Sequence, residues 1–313
     1  MILFSDDESY ARRVFPEARD WTPWSDSPSP RLPWMTKAAA ALFCGRSLFR
    51  ARQPGLPRDW ILLATEFSPF SQYDRVIALR DEQGELPDRL ACLAGSGENF
   101  HGQRSRTWVA AAGNIHLTVH FRPPETVPDC GRGFPLLAAV SVLDTLDSLP
   151  GLEGRASVKW VNDILLDSAK VAGFVAHLQS QDEQVRSAVL GLGLNVETTP
   201  PLQPSPFVPR ATCAKAVSPQ PQTCSLGAVL ILLINRLEEN YRKLCSGDLP
   251  LLLTRYRRRS EVLGRRVRVL SDPLEGPPRE LGSGIVTAIG ENLELHLRGR
   301  DKPLSRGRLI LLD

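Results

Sequence analysis

Three short segments, met in order along the chain, constrain it most: Lys159-Trp160-Val161-Asn162-Asp163, then after a turn Lys170-Val171-Ala172-Gly173, then Gly191-Leu192-Gly193-Leu194-Asn195-Val196. The stretch from Ser157 to Leu178 reads as two strands joined by a turn near Asp167 and Ser168, and Ser187 to Val196 as another buried strand. A buried strand ending in Asn-Asp, next to one carrying a lysine beside a small-residue step, places an ammonium where a carboxylate or phosphate oxygen can sit. Gly173, Gly191 and Gly193 let a ligand approach the backbone closely. Taken alone, either lysine reads as a strand residue snorkelling to solvent. The ordered company of the Asn-Asp pair and the glycine steps makes Lys170 a ligand-binding candidate and leaves both readings open for Lys159.

Around these segments the pattern is that of a globular α/β chain. Asp59 to Phe67 predicts a strand, Ser71 to Glu82 an amphipathic helix, and Arg89 to Gly95 a short buried strand. Ile115, Leu117, Val119 and Phe121 alternate with polar or small residues, the period of a half-buried strand. A polar loop, Gly95 to Trp108, separates the last two. Phe134 to Leu146 predicts a compact apolar helix, Thr198 to Arg210 a Pro-rich loop, and Leu226 to Leu244 and Leu249 to Ser260 two further helices. Past residue 260 the texture changes to short strands divided by Gly, Pro and Asp, about fifty residues that suit a small SH3-like barrel. Residues 1–57 are rich in Pro, Ser and Arg, hold Trp21, Trp24 and Trp34, and show little periodicity; they predict a semi-ordered extension, with the core beginning near residue 58. The expected division is therefore 1–57, 58–260 and 261–313.

Composition excludes several classes. With 313 residues and 42% hydrophobic content the chain can bury a sizeable core. Its 38 Lys and Arg against 35 Asp and Glu leave a net charge of +3, which argues for no nucleic-acid or membrane partner. Six scattered cysteines without a CxxC pair fit reduced thiols rather than a disulfide framework or a zinc site. Asp6, Asp7 and Glu8 interrupt the place where a signal peptide needs its apolar stretch, and the longest apolar runs fall short of the ~20 residues that span a bilayer. A cytoplasmic, soluble protein is expected. Residues 1–57 lack a helix-turn-helix pattern, so no DNA partner is expected either.

The three segments resemble the biotin protein ligase family, whose members show KWPND, then K-x-[AG]-G, then G-x-G-[IL]-N at this approximate spacing; only the proline is replaced, by Val161. Upstream, Cys92 to Trp108 followed by Ala111 to Phe121 is similar to that family's GRGRxGRxW stretch and the strand after it, with Arg104, Arg106, Trp108, Gly113 and Asn114 in register. Downstream, Tyr256, Ser260, Leu263-Gly264, Val267, Val269 and Gly284-Ile285-Val286 continue the likeness, so that it covers residues 58–313. The resemblance implies an α+β fold, a class II synthetase-like mixed sheet packed by helices with a small C-terminal SH3-like β-barrel. It also implies a two-step reaction: biotin and ATP give biotinyl-adenylate, and a lysine of a carboxylase's biotin carboxyl carrier domain takes the acyl group.

By the same resemblance, Lys170 meets the carboxylate and α-phosphate oxygens, and Arg104 and Arg106, with Gly102 and Trp108, belong to the loop covering the adenylate. Gly173, Gly191, Gly193 and Asn195 shape the floor and the adenine end. Lys159 and Asn114 complete the substrate-binding set, and Asn162 with Asp163 orients nucleotide or Mg2+, which arrives with ATP rather than in a protein cage. A homodimer through the sheet is compatible with the pattern. The sequence departs from the family at Phe100 and Ser105, where glycine is usual, at His101 and Gln103, where arginine is usual, and at Gly97, which stands for a glutamine near biotin. Lipoate or another acyl chain as substrate, and a non-catalytic ligand-binding paralogue, are the alternatives these departures raise. His116 and His120 share a strand face at i, i+4, yet no further ligand spacing accompanies them, so no metal site is expected. Trp108 and Trp160 also read as core packing, His101 as a solvated loop histidine or a pH-sensitive stand-in for arginine, and the arginines from Arg255 to Arg268 as a solvated helix end.

Overall fold

Apolar residues on both parities of the central strands require a sheet covered on both faces, and the computed structural model has one. It describes residues 1–24, 34–84, 86–124, 127–128, 131–181, 184–272 and 276–312. From the N-terminus the elements are β1 (Ile2–Ser5), α1 (Glu8–Val14), β2 (Arg19–Trp24), α2 (Met35–Phe43), β3 (Leu48–Arg52), β4 (Ile61–Ser68), α3 (Gln72–Gln83), β5 (Leu90–Gly97) and β6 (Ile115–Phe121). Then come β7 (Val127–Pro128), α4 (Gly133–Asp147), β8 (Ala156–Lys159), β9 (Asp163–Leu166), β10 (Ala169–Gln181), β11 (Gln184–Leu194), α5 (Ala214–Val217), α6 (Leu226–Cys245) and α7 (Leu249–Arg258). The chain closes with β12 (Arg266–Leu270), β13 (Glu280–Ile289), β14 (Leu295–Leu297) and β15 (Arg308–Leu311).

Among the described residues, eleven strands form one mixed sheet in the order β2-β3-β1-β4-β5-β6-β11-β10-β9-β8, with β7 paired to β11. β1, β4 and β5 run parallel, and the other pairs are antiparallel. Leu62, Ala64, Ala91, Leu93 and the odd-numbered residues of β6 face the larger core with α4, α6 and α7. Leu63, Leu90, Cys92 and Val189 face a smaller one with α2 and α3. β6 is therefore buried along its whole length rather than half-buried, because His116 and His120 on its second face are roofed and bonded to the carbonyls of Ala111 and Pro87.

Two further expectations differ from the structure. The segment read as two strands is three: the chain turns at Trp160 and Val161, whose peptide is cis, so that β8 and β9 pair before the predicted turn at Asp167 and Ser168. Residues 1–57 were expected to be semi-ordered, but their described part supplies β1, β2 and β3 to the main sheet. β1 is four residues long, too short to show a period, yet Leu3 and Phe4 are both fully buried on its opposite faces. Trp24 packs edge-on against Phe4 at 6.0 Å, and Trp34 is buried beside α2. The Ser25 to Pro33 stretch and Cys130 lie outside the described residues; the other five cysteines are unpaired.

β12 to β15 form a second, four-stranded sheet in the order β14-β13-β12-β15. Its apolar residues join the larger core, and the Trp160 indole N–H donates to the Leu293 carbonyl at 2.6 Å across the junction. Among the described residues no helix is long and apolar enough to cross a membrane.

Candidate active site

Strand register builds the site floor. Asp163, Gly173, Gly193, His116 and Ala94 fall in one row across β9, β10, β11, β6 and β5; Val175, Gly191, Thr118 and Cys92 fall in the next row. The neighbours of these glycines along β10 and β11, Ala172, Phe174, Leu190, Leu192 and Leu194, belong to the core on the opposite face. The floor thus has bare backbone where other strands carry side chains, and two rings lie on it. A Cβ on Gly193 would collide with the Trp108 indole, and one on Gly191 would stand 3.0 Å from the Tyr73 ring.

Lys170 reaches this face through a bulge. The β9–β10 register slips between Lys170 and Ala172, adding one residue on β10, and an added residue reverses the facing of everything before it. Lys170 consequently shares a face with Gly173, three positions on. Its Nζ lies 2.7 Å from Asp163 Oδ1 and 5.7 Å from the centre of the Trp108 ring. Trp108 is fixed in turn: its Nε1–H donates to His116 Nδ1 at 3.1 Å, and His116 Nε2 faces the Ala111 carbonyl at 3.0 Å. These contacts assign a neutral imidazole with its proton on Nε2. Burial pulls the His116 pKa down to about 4, against the smaller opposing effect of the Ala111 bond, so the ring stays neutral beside Trp108.

Above the floor lies a cavity of about 290 Å³, lined by Phe100, His101 and Trp108 from the loop after β5 and by Pro200 and Leu202 from the Pro-rich loop. A second cavity of about 100 Å³ adjoins it and shares Arg106, Asn162, Asp163 and Arg308 with it. This smaller space is cationic. Arg104, Arg106, Lys159 and Arg308 line it, with Asp272 from the C-terminal sheet placed 3.7 Å from Arg104 and 3.9 Å from Arg106. Lys159 is almost wholly buried and donates to the Phe207 carbonyl. Burial is the main cause of its pKa falling to about 8, with Lys170 and Arg308 adding repulsion and Asp163 opposing. Arg308 stacks over the Phe207 ring at 3.6 Å.

Of the residues singled out from sequence, Gly102, Arg106, Trp108, Asn162, Asp163, Lys170, Gly173, Gly191, Gly193 and Asn195 line the larger cavity, and Arg104 and Lys159 the smaller. Asn114 lines neither. Its Oδ1 accepts from the Val196 and Thr198 N–H groups at 2.8 and 3.2 Å, and its Nδ2 donates to the Thr198 carbonyl at 2.8 Å, so it clamps the chain leaving β11. Asn195 donates to the Thr212 carbonyl at 2.9 Å and anchors the Pro-rich loop's return. Tyr73, Phe100, His116, Asp272 and Arg308, which no sequence motif marks, also line the two cavities. The last two reach the site from the second sheet, and nothing local in their sequence signals it.

Residues 72–195 match the Biotin/lipoate A/B protein ligase family. The "Bifunctional ligase/repressor BirA" of Bacillus subtilis (strain 168) is 32% identical over 115 residues, 36% of this chain and 34% of that protein. The chain thus aligns with about a third of the length of that curated relative. The "Biotin--[acetyl-CoA-carboxylase] ligase" of Mycobacterium tuberculosis is 28% identical over 237 residues, 74% of this chain and 83% of that protein. In fold, the chain is similar to a biotin protein ligase from Aquifex aeolicus solved in complex with biotin and ATP, with a TM-score of 0.59, 19% identity, and coverage of 80% of this chain and 97% of that one.

Proposed function

From the premise that residues 72–195 of this chain belong to the biotin/lipoate A/B protein ligase family, we propose that the protein is an ATP-dependent biotin–protein ligase acting in the cytoplasm on the carrier domain of a biotin-dependent carboxylase. One observation carries the reading: the Lys170–Asp163 pair stands where a largely apolar cavity meets a small cationic one. An acid with an apolar body and a nucleotide phosphate fit those two spaces, and their reacting ends meet at Lys170.

In the first step a biotin carboxylate oxygen attacks the α-phosphorus of ATP, the bond to the β-phosphate breaks, and pyrophosphate leaves. Both reactants are anions, so the chain's task is to hold them together and neutralise the charge that develops. Lys170 bridges carboxylate and α-phosphate oxygens, exchanging its partner Asp163 for them. Arg104, Arg106, Lys159 and Arg308 hold the departing phosphates, and the Trp108 ring over Gly193 keeps water from the mixed anhydride. In the second step a carrier lysine, as the free amine, attacks the acyl carbon and AMP leaves. Mg2+ entering with the nucleotide would be met by Asp163 and by Asn162 Oδ1, whose Nδ2 is spent on the Phe174 carbonyl at 2.7 Å. Among the described residues no group of three or more His, Cys, Asp or Glu could hold a metal ion. Phe100 favours a second reading, the same chemistry on lipoate or another acyl chain, because its ring packs against the bare Gly97 and makes that wall aromatic.

The test is ATP–pyrophosphate exchange with and without biotin, with Lys170→Ala as control. Exchange that requires biotin and vanishes in the variant is expected. Exchange with lipoate or another acid alone would keep the chemistry and change the substrate; none with any acid, from folded protein, would overturn the proposal.

A further inference from the structure

The loop from Phe100 to Trp108, which carries Arg104 and Arg106, is fastened to α3 by His101. Both ring nitrogens of His101 face oxygen acceptors: Nε2 lies 2.8 Å from Asp74 Oδ2 and 3.0 Å from Oδ1, and Nδ1 lies 3.1 Å from the Gly102 carbonyl. A neutral imidazole has one N–H and satisfies one of the two sides; imidazolium donates to both. Asp74 sits in the first turn of α3, where the helix N-terminus favours a carboxylate. The fastening reaches the rest of the loop, since His101 bridges to Thr107 and the Gly102 N–H donates to the Arg106 carbonyl at 2.7 Å.

We infer that His101 and Asp74 are a positioning pair: with His101 protonated they hold the Phe100–Trp108 loop over the cavity, and loss of that proton loosens the loop and weakens anion binding. Tyr73 on α3, edge-on at 6.1 Å, is the other titratable group against the ring, and burial, then Asp74, holds its phenol near pKa 12, so it stays neutral. The loop's own charges, Arg104 and Arg106, lie beside Asp272. Burial by itself would lower the His101 pKa, but the bonds to Gly102 and Asp74 outweigh it and raise it. A raised value means that the tether is fully present below the ordinary histidine pKa of 6.5 and is lost as pH rises through the raised one. The nature of the anion rests on the ligase reading; the tether does not.

The experiment therefore begins with the ligand-free full chain. Amide exchange of residues 100–108, corrected for intrinsic rate, is followed from pH 6 to 9 (about the histidine range) beside an NMR titration of His101. Protection in the native protein should fall about threefold to fivefold, the size of an exposed ion pair, with the midpoint at the His101 titration. Asp74→Asn should be low and flat throughout, and His101→Arg, which keeps its charge, high and flat. Protection that ignores pH, or that still follows it in Asp74→Asn, would overturn the pair. ATP affinity measured on the same samples should fall by a similar factor beyond the fall seen in His101→Arg, which isolates the titration of Lys159 near 8. If the loop follows the proton but ATP does not bind, the tether stands and the ligase reading fails; if the native protein's ATP affinity changes with pH no more than that of His101→Arg, the pair has no positioning role.

Discussion

Gly193 must be glycine because the Trp108 ring occupies the space of a side chain there. Gly193→Ala should push the indole off the floor and break both its bond to His116 and its contact with Lys170. A forced methyl costs ~1–3 kcal/mol, so affinities for the two proposed substrates, biotin and ATP, should fall by about tenfold or more, as isothermal titration would show, while the far-ultraviolet circular dichroism stays native. That residues of this kind line one cavity was readable in the sequence. Lys170 and the three glycines have apolar residues on either side, so a lysine or a missing side chain stands out against them. Asn114 was misplaced because a buried asparagine that closes a turn and one that holds a ligand look alike in sequence. Arg308 could not be found at all, since its partners Phe207 and Arg106 lie about a hundred residues or more away along the chain.

At the scale of elements, the strands from β4 to β6 and the helices α3, α4, α6 and α7 follow from the period or the length of their apolar runs, and the structure has them near the expected bounds. The bulge on β10 does not follow, because one extra residue leaves no mark on an apolar strand, and yet it decides which face Lys170 takes. β1 was hidden by brevity and β2 by its exposed, polar sequence with Pro23 inside it. Polar links between elements are also decisive here. Glu238 on α6 is almost buried and accepts from the Trp60 indole N–H at 2.9 Å and from Arg89 Nε at 2.7 Å, tying α6 to the starts of β4 and β5. Removing one partner of such a pair leaves a poorly solvated charge, at about 3 kcal/mol. Glu238→Ala should therefore lower the urea midpoint by that equivalent with the slope unchanged.

For the whole molecule, the second sheet does more than follow the first. Asp272, just after β12, and Arg308, at the start of β15, complete the cationic cavity, so that cavity exists only when both sheets are in place. The larger core shows how that is secured: it runs without a break from Met1 and Leu3 through α4 and α6 to Val267, Val286 and Leu309. Calorimetry should accordingly give one transition with equal calorimetric and van't Hoff enthalpies; two resolved peaks would show that the sheets unfold separately. β1 and β15 thus meet in one apolar body. Until β15 is in place that body stays open, so a nascent chain that lacks it exposes Leu and Val surface that invites association.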